Sequence, residues 1–270
     1  MSKLEAKDRI ENCMYAVFNR VSKILYNISK YKSITKQNVK FKDLHKDERC
    51  FILGTGPSLK NLDCDLLKNE IVFGVNYLYK GDIIKHITPD YYCLYDEGFY
   101  GQLLPDTKEV LELLPDTTFF FRTKAYDTIN KLNIQKKSIY YQHCNSVQYK
   151  DHLEIDLTKN ITAPFNVVVG CIQTAMYMGF KEIYLLGCDF NSFATPKIQH
   201  YYDKGELADR SLSLGLELKS YALVCYHHYA LEKYAKSHDI KIYNITPGSL
   251  LDAYERKSID DVIFNKGSNL

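Results

Sequence analysis

The sequence has no tryptophan, no C-x-x-C pair of cysteines and almost no net charge, +2 over 270 residues. It also lacks any apolar run of about 18 residues, so no segment reads as a membrane span. The opening MSKLEAKDRIENC has no long apolar core, which argues against a signal peptide and for a cytoplasmic location. Eight cysteines are scattered through the chain (Cys13, Cys50, Cys64, Cys93, Cys144, Cys171, Cys188 and Cys225), several inside apolar runs such as CFILG and YYCLY. That placement reads as buried reduced thiols and excludes a disulfide framework or a zinc site. Internal repeats and low-complexity stretches are missing too. In place of tryptophan stand 23 tyrosines, which fit a low-GC genome and also supply phenolic hydroxyls for phosphate or sugar contacts. With 46% apolar and 25% charged residues the composition is that of a globular protein, long enough for one large domain with an appendage.

The small net charge hides an uneven distribution. Residues 1–46 carry eleven Lys/Arg against four Asp/Glu, whereas the remainder carries twenty-four against twenty-nine. Such asymmetry marks a binding segment. Within it Leu4, Ile10, Met14, Val17, Phe18, Val21, Ile24, Leu25 and Ile28 recur at helical spacing among Lys and Arg. The pattern predicts a basic amphipathic helix over residues 1–30, open to three partners: the inner-membrane surface, the main domain or a second subunit of a homo-oligomer. Residues 31–46 read as a polar connector. Nucleic acid is not an expected partner, because the chain beyond residue 46 is acidic.

From residue 47 the pattern changes to short β-rich runs alternating with helical stretches. Strands are expected at 50–53, 71–75, 91–95, 118–122, 138–141, 182–186 and 240–245. Helices are expected at about 57–68, 98–114, 123–133, 165–179, 215–238 and 248–256. Apolar strands separated by helices call for a mostly parallel sheet covered on both faces. The fold class is therefore α/β, a single Rossmann-like doubly wound domain over 47–256, preceded by the N-terminal helix and followed by a tail at 257–270. Residues 191–214 are polar and without periodicity, and read as a lid.

The strongest local signal is RCFILGTGPSLKNL. An apolar strand runs into Gly54, Thr55, Gly56, Pro57 and Ser58 and then into a predicted helix. Glycines let a ligand approach the backbone, Pro57 suits a first helical turn, and the helix start favours a phosphate. It is neither a full G-x-G-x-x-G, since Leu59 holds the third position, nor a P-loop. Ligands of open parallel sheets sit at the carboxyl ends of strands. That rule makes Asn76, Asp96, Gly187, Asp189, Thr246, Gly248 and Ser249 nucleotide-site candidates. His200, Tyr201 and Tyr202 fall in the expected lid, where an imidazole can take a proton from a sugar hydroxyl and phenols can donate to a departing phosphate. His227 and His228, mid-helix, read as structural. Asp63-Cys64-Asp65 matches a D-x-D metal pattern but lies away from the strand tips, so it reads as a surface pair and no metal site is expected.

These elements, in this order, resemble the bacterial sialyltransferases of glycosyltransferase family 42. They also resemble the wider relatives that include the MptE-like pterin diphosphokinases and the nonulosonic-acid transferases. The carriers are GTGPSL, the GVN tip, GFKEIYLLGCDF, the His-Tyr pair and IKIYNITPGSLL, over roughly residues 48–255. The resemblance implies a metal-independent, inverting transfer of sialic acid or a related sugar from a CMP-activated donor to a glycan acceptor such as lipooligosaccharide or capsule. No cofactor is implied beyond that donor substrate. By position it makes His200 the general base, Tyr201 and Tyr202 phosphate ligands, and the Gly54–Ser58 turn with Asn76 the nucleotide holder. Thr55 replaces the family's Asn, Asn166-Val167-Val168 replaces a Thr-Ser-Gly run beside the donor, and Asn191 replaces a Tyr. Asp96 looks more like the diphosphokinase side. Two alternatives follow, an ATP- and magnesium-dependent diphosphokinase and a nucleotide-binding protein without catalysis.

Overall fold

The computed structural model describes residues 3–132, 134, 138–195, 197–203 and 212–264. The chain opens with α1 (Lys3–Ile28) and α2 (Tyr31–Thr35), then enters the sheet at β1 (Arg49–Leu53). There follow β2 (Ile71–Val75), β3 (Tyr91–Leu94), α3 (Leu104–Leu113), β4 (Thr118–Arg122), α4 (Tyr126–Lys131), β5 (Ile139–Ser146) and β6 (Asn160–Thr162). The second half holds α5 (Val167–Tyr177), β7 (Glu182–Leu186), α6 (Leu214–Ser237), β8 (Lys241–Asn244), β9 (Glu255–Arg256) and α7 (Ile259–Phe264). Among the described residues nine strands pair, all parallel, in the order β6-β5-β4-β3-β2-β1-β7-β8-β9. The α/β reading holds, with the sheet parallel throughout.

Alternation along the strands sorts the core into two layers. Cys50, Ile52, Phe73, Val75, Cys93, Phe120, Ile183 and Leu185 face one side, where α5 and α6 cover them. Phe51, Leu53, Val72, Tyr92, Leu94, Phe119, Phe121, Tyr184 and Leu186 face the other, against α3, α4 and short 3-10 turns. Burial on both faces explains why the strands read as nearly continuous apolar runs. Helix α5 is apolar all round because it is wedged between sheet and α6, with residues 169–177 all buried.

Several expected elements differ. The helix at about 57–68 is two 3-10 turns, Pro57–Asn61 and Cys64–Leu67. Asp63 ends the first stretch by accepting from the Asp65 N–H at 3.0 Å. Residues 98–114 split at Gly101 into a 3-10 turn (Glu97–Tyr100) and α3. The expected helix at 248–256 is absent. There the backbone is satisfied by side chains instead: Asn244 Nδ2 donates to the Leu251 carbonyl at 3.0 Å and Ser249 Oγ to the Cys188 carbonyl at 2.6 Å. Strands β6 and β9 went unforeseen, being three and two residues long. Four cysteines are buried as expected, but Cys13 is exposed on α1 and Cys64, Cys144 and Cys225 are half-buried. The expected lid at 191–214 lies partly outside the described residues, as do residue 133 of the predicted fourth helix and 265–270 of the tail.

Candidate functional site

Strands β1 to β6 extend the sheet in one direction, and the chain then crosses back through α5 to lay β7 on the other side of β1. That reversal is the topological switch point, and the crevice outside the carboxyl ends of β1 and β7 is where such sheets bind ligands. The two strand tips come very close there. A Cβ on Gly54 would lie 2.4 Å from the Gly187 carbonyl oxygen, and Gly187 itself has φ +65°. Both positions need glycine, the first for space and the second for backbone conformation. Gly54→Ala is expected to force the tips of β1 and β7 apart and to lower unfolding stability by about 1–3 kcal/mol, read by chemical denaturation. An unchanged midpoint would mean that the tips separate freely.

The turn after β1 is held by Asp189, which follows β7. Its carboxylate accepts from the Ser58 N–H at 3.1 Å and the Ser58 hydroxyl at 2.7 Å. Asp189 is buried, and the absence of a side chain on Gly56 is what lets the carboxylate in, since a Cβ there would meet Asp189 Oδ2. The 3-10 turn at Pro57 therefore has a protein carboxylate at its amino end, where the sequence suggested a phosphate.

A different helix start faces the crevice. Asn166 caps α5, its Oδ1 accepting from the Val169 N–H at 2.9 Å. Val167 and Val168 line a cavity of about 180 Å³ together with Gly54, Thr55, Gly56 and His200. The first N–H groups of an α-helix have no intrahelical acceptor, and the helix dipole adds positive potential at that end.

His200 reaches this cavity because the segment carrying it is tied to the β1 turn. The Tyr201 N–H donates to the Thr55 carbonyl at 3.0 Å, and His200 Nδ1 lies 3.5 Å from Thr55 Oγ1. The His200 N–H donates to Asp203 at 2.6 Å, and the imidazole stacks on Tyr202, with ring centroids 5.0 Å apart. Tyr201 is spent elsewhere. Its ring is buried against Gly81 and its hydroxyl donates to the Leu78 carbonyl. Tyr201 and Tyr202 both border a separate cleft of about 400 Å³ beside Lys60 and Lys80. Burial pushes both phenols well above their ordinary pKa. The geometry makes Tyr201 an anchor of the His200 segment, with its hydroxyl on the Leu78 carbonyl and outside the His200 cavity.

The other predicted residues divide. Gly187 and Asp189 border the His200 cavity with Asn166 and Pro57. Ser58, Thr246 and Gly248 border a larger cavity of about 970 Å³ on the far side of the turn, which shares Asp189. Ser249 is buried and holds the β8 loop, and the Thr246 hydroxyl is used the same way, donating to the Leu185 carbonyl at 3.1 Å. Asn76 and Asp96 border neither cavity. Asn76 sits at φ +44° with its Oδ1 buried and without a partner among the described residues. Asp96 caps the turn after β3 by accepting from the Gly98 N–H at 2.7 Å. Asp63 and Asp65 are exposed, as a surface pair should be. Among the described residues no group of three or more His, Cys, Asp or Glu side chains is placed to hold a metal ion.

Helix α6 adds two polar side chains to the small cavity, Tyr221, which the sequence reading did not single out, and His228, which it read as structural. Tyr221 shares a hydrogen bond with the Ser192 hydroxyl. His228 Nδ1 lies 2.8 Å from the Tyr254 hydroxyl, and burial holds its pKa down to about 3. A signal was available, since Glu217, Tyr221, Val224 and His228 share one helical face.

Against known proteins, no curated sequence matches. Among solved structures the chain is similar to sialyltransferase CstII from Campylobacter jejuni in complex with cytidine-5'-monophosphate, at 17% identity and a TM-score of 0.49, over 83% of this chain and 88% of that one. It is similar to CST-II in complex with trisaccharide acceptor and CMP (19%, TM-score 0.48, 78% and 86% covered). It is also similar to the monofunctional alpha-2,3-sialyltransferase Cst-I of Campylobacter jejuni (17%, TM-score 0.47, 77% and 79% covered). The family model described as 6-hydroxymethylpterin diphosphokinase MptE-like matches residues 22–193, from the second half of α1 past the Asp189 tip of β7. By that match the chain belongs to the MptE-like family.

Proposed function

We propose that this chain is a glycosyltransferase that moves a sugar, sialic acid or a relative, from a CMP-activated donor to a hydroxyl of a cell-surface glycan with inversion at the anomeric carbon. The observation that carries the reading is the meeting, at one switch-point cavity, of an imidazole and the amino end of α5. In this account the donor phosphate lies on the first turn of α5, where Val167 and Val168 offer backbone N–H groups and the helix dipole favours negative charge. His200 takes the proton from the acceptor hydroxyl. The acceptor oxygen bonds to the anomeric carbon as the carbon–oxygen bond to phosphate breaks, and CMP departs with the electron pair. Backbone donors already in place can steady that departing charge, so the chemistry has no need of a metal. At about 180 Å³ the cavity is smaller than a nucleotide requires, so the Ile198–Gln199–His200 roof has to lift when the donor enters.

The competing reading is a diphosphokinase using ATP and magnesium, favoured by the family match over residues 22–193. Thermal shift separates the two. CMP without a divalent cation is expected to raise the melting temperature, by the equivalent of about 2.7 kcal/mol at 100 times its dissociation constant. A shift produced only by ATP with magnesium would replace the sugar-transfer reading with the kinase.

A further inference from the structure

Helix α1 turns its polar side to the protein and its apolar side to solvent. Asn19 exchanges two hydrogen bonds with the Val147 backbone, each 2.8 Å. Ser22 donates to the Asn145 carbonyl at 2.6 Å, and the Tyr26 hydroxyl donates to the Thr158 carbonyl at 2.6 Å. Opposite these lies an uncovered stripe: Ile10, Met14, Val17, Val21, Ile24 and Ile28, between 50% and 79% exposed. The exposed Arg9, Arg20 and Lys23 lie along one flank of the stripe, and the exposed Phe18 and Leu25 along the other. From residue 12 to residue 42 there are seven Lys/Arg and no Asp or Glu.

The stripe alternates steps of four and three residues, a spacing that also suits a coiled coil with a second copy. Charge decides between the two. A parallel pair would set two basic segments side by side with no acidic partner from residue 12 onward. An antiparallel pair would set Asp8 and Glu11 near Arg20 and Lys23 but leave Lys30 to Lys42 unanswered, whereas an anionic lipid surface answers both the apolar stripe and the basic flank. We propose that α1 docks this protein on an anionic bilayer, with the stripe in the acyl boundary and Arg9, Arg20 and Lys23 at the headgroups. The helix runs antiparallel to β5, since Tyr26 stacks on His143, Ser22 meets Asn145 and Asn19 meets Val147. Its first half therefore continues roughly 24 Å past the carboxyl end of β5, at 1.5 Å per residue. That is the end of the sheet that carries the candidate site. This inference does not depend on what the crevice transfers.

The test is vesicle flotation of the full chain with phosphatidylcholine alone and with phosphatidylcholine mixed with phosphatidylglycerol. Flotation with the anionic vesicles only, weakened by salt, is expected. Arg20→Gln with Lys23→Gln should weaken it about fivefold per charge removed, and Val17→Glu with Ile24→Glu should abolish it. All four side chains are exposed, so an unchanged melting temperature and circular dichroism spectrum would verify that each variant is folded. Failure to float, or equal flotation with neutral vesicles, overturns the proposal. So does a dimer by light scattering that Val17→Glu with Ile24→Glu dissolves, because the stripe would then belong to a second copy.

Discussion

Replacing His200 with alanine is expected to lower sugar transfer by at least about 100-fold, the lower range for losing a positioned general base, while CMP binding stays within a few-fold of normal. The split follows from the geometry. The imidazole lines the cavity 3.5 Å from Thr55 Oγ1, whereas the donor phosphate is assigned to a separate part of the lining, the α5 amino end. His200 also contributes a backbone N–H to Asp203, which alanine keeps, so the segment should stay in place. Tyr201→Phe behaves differently in this account. It removes the donor to the Leu78 carbonyl and loosens the same segment, so its loss should be partial. Transfer by His200→Ala at near-normal turnover would remove the imidazole from the mechanism.

The second large effect is on stability in mild acid. His227 and His228 are almost wholly buried, and burial lowers their pKa to about 4 and about 3 from an ordinary 6.5. Burial depresses His143 in the same direction. An unfolded chain takes up these protons as pH falls through 6.5, while the folded chain resists. The folded state therefore has its full stability above that value and loses it as pH falls toward the folded pKa values. Each buried histidine steepens the loss by at most about 1.4 kcal/mol per pH unit. The paired carboxylates, such as Asp106 beside Lys80, lie below the ordinary 3.8 and contribute only in stronger acid, which leaves the window from pH 6.5 to 4.5 to the histidines. Melting temperature should fall through that window, and His227→Gln should flatten the fall whatever it does to stability at neutral pH. A melting temperature unchanged from pH 7 to 4.5 would contradict the account.

Much of the architecture was legible because the physics that builds it is local. Strands buried on both faces show as apolar runs such as CFIL, TFFF and EIYLL, and each appears as a strand. Gly54, Gly56 and Gly187 stood out in the sequence as places where a ligand could approach the backbone, and in the structure the space beside them is taken by the Gly187 carbonyl, Asp189 and Leu59. What failed depended on contacts distant in sequence. Nothing near Pro57 reveals that Asp189, more than a hundred residues on, will cap its turn and take the place reserved for phosphate. Nor does HYY reveal that the first tyrosine will be drawn under Gly81 while the histidine turns the other way. The missing helix after Pro247 has a similar cause, because Asn244 and Ser249 satisfy the backbone that a helix would have. The basic, apolar pattern of α1 was plain, but its orientation was not. Which side of an amphipathic helix meets the protein depends on Asn145, Val147 and Thr158, and these carry no helical signal.

The most direct test of the central claim is CMP release from CMP-sialic acid by the purified full chain, measured with and without EDTA. Transferases hydrolyse their donors slowly, so the acceptor need not be known. The account predicts release above the uncatalysed rate, unchanged by EDTA and lost in His200→Ala. Absence of release together with absence of CMP binding would contradict it and leave the ATP- and magnesium-dependent reading in its place.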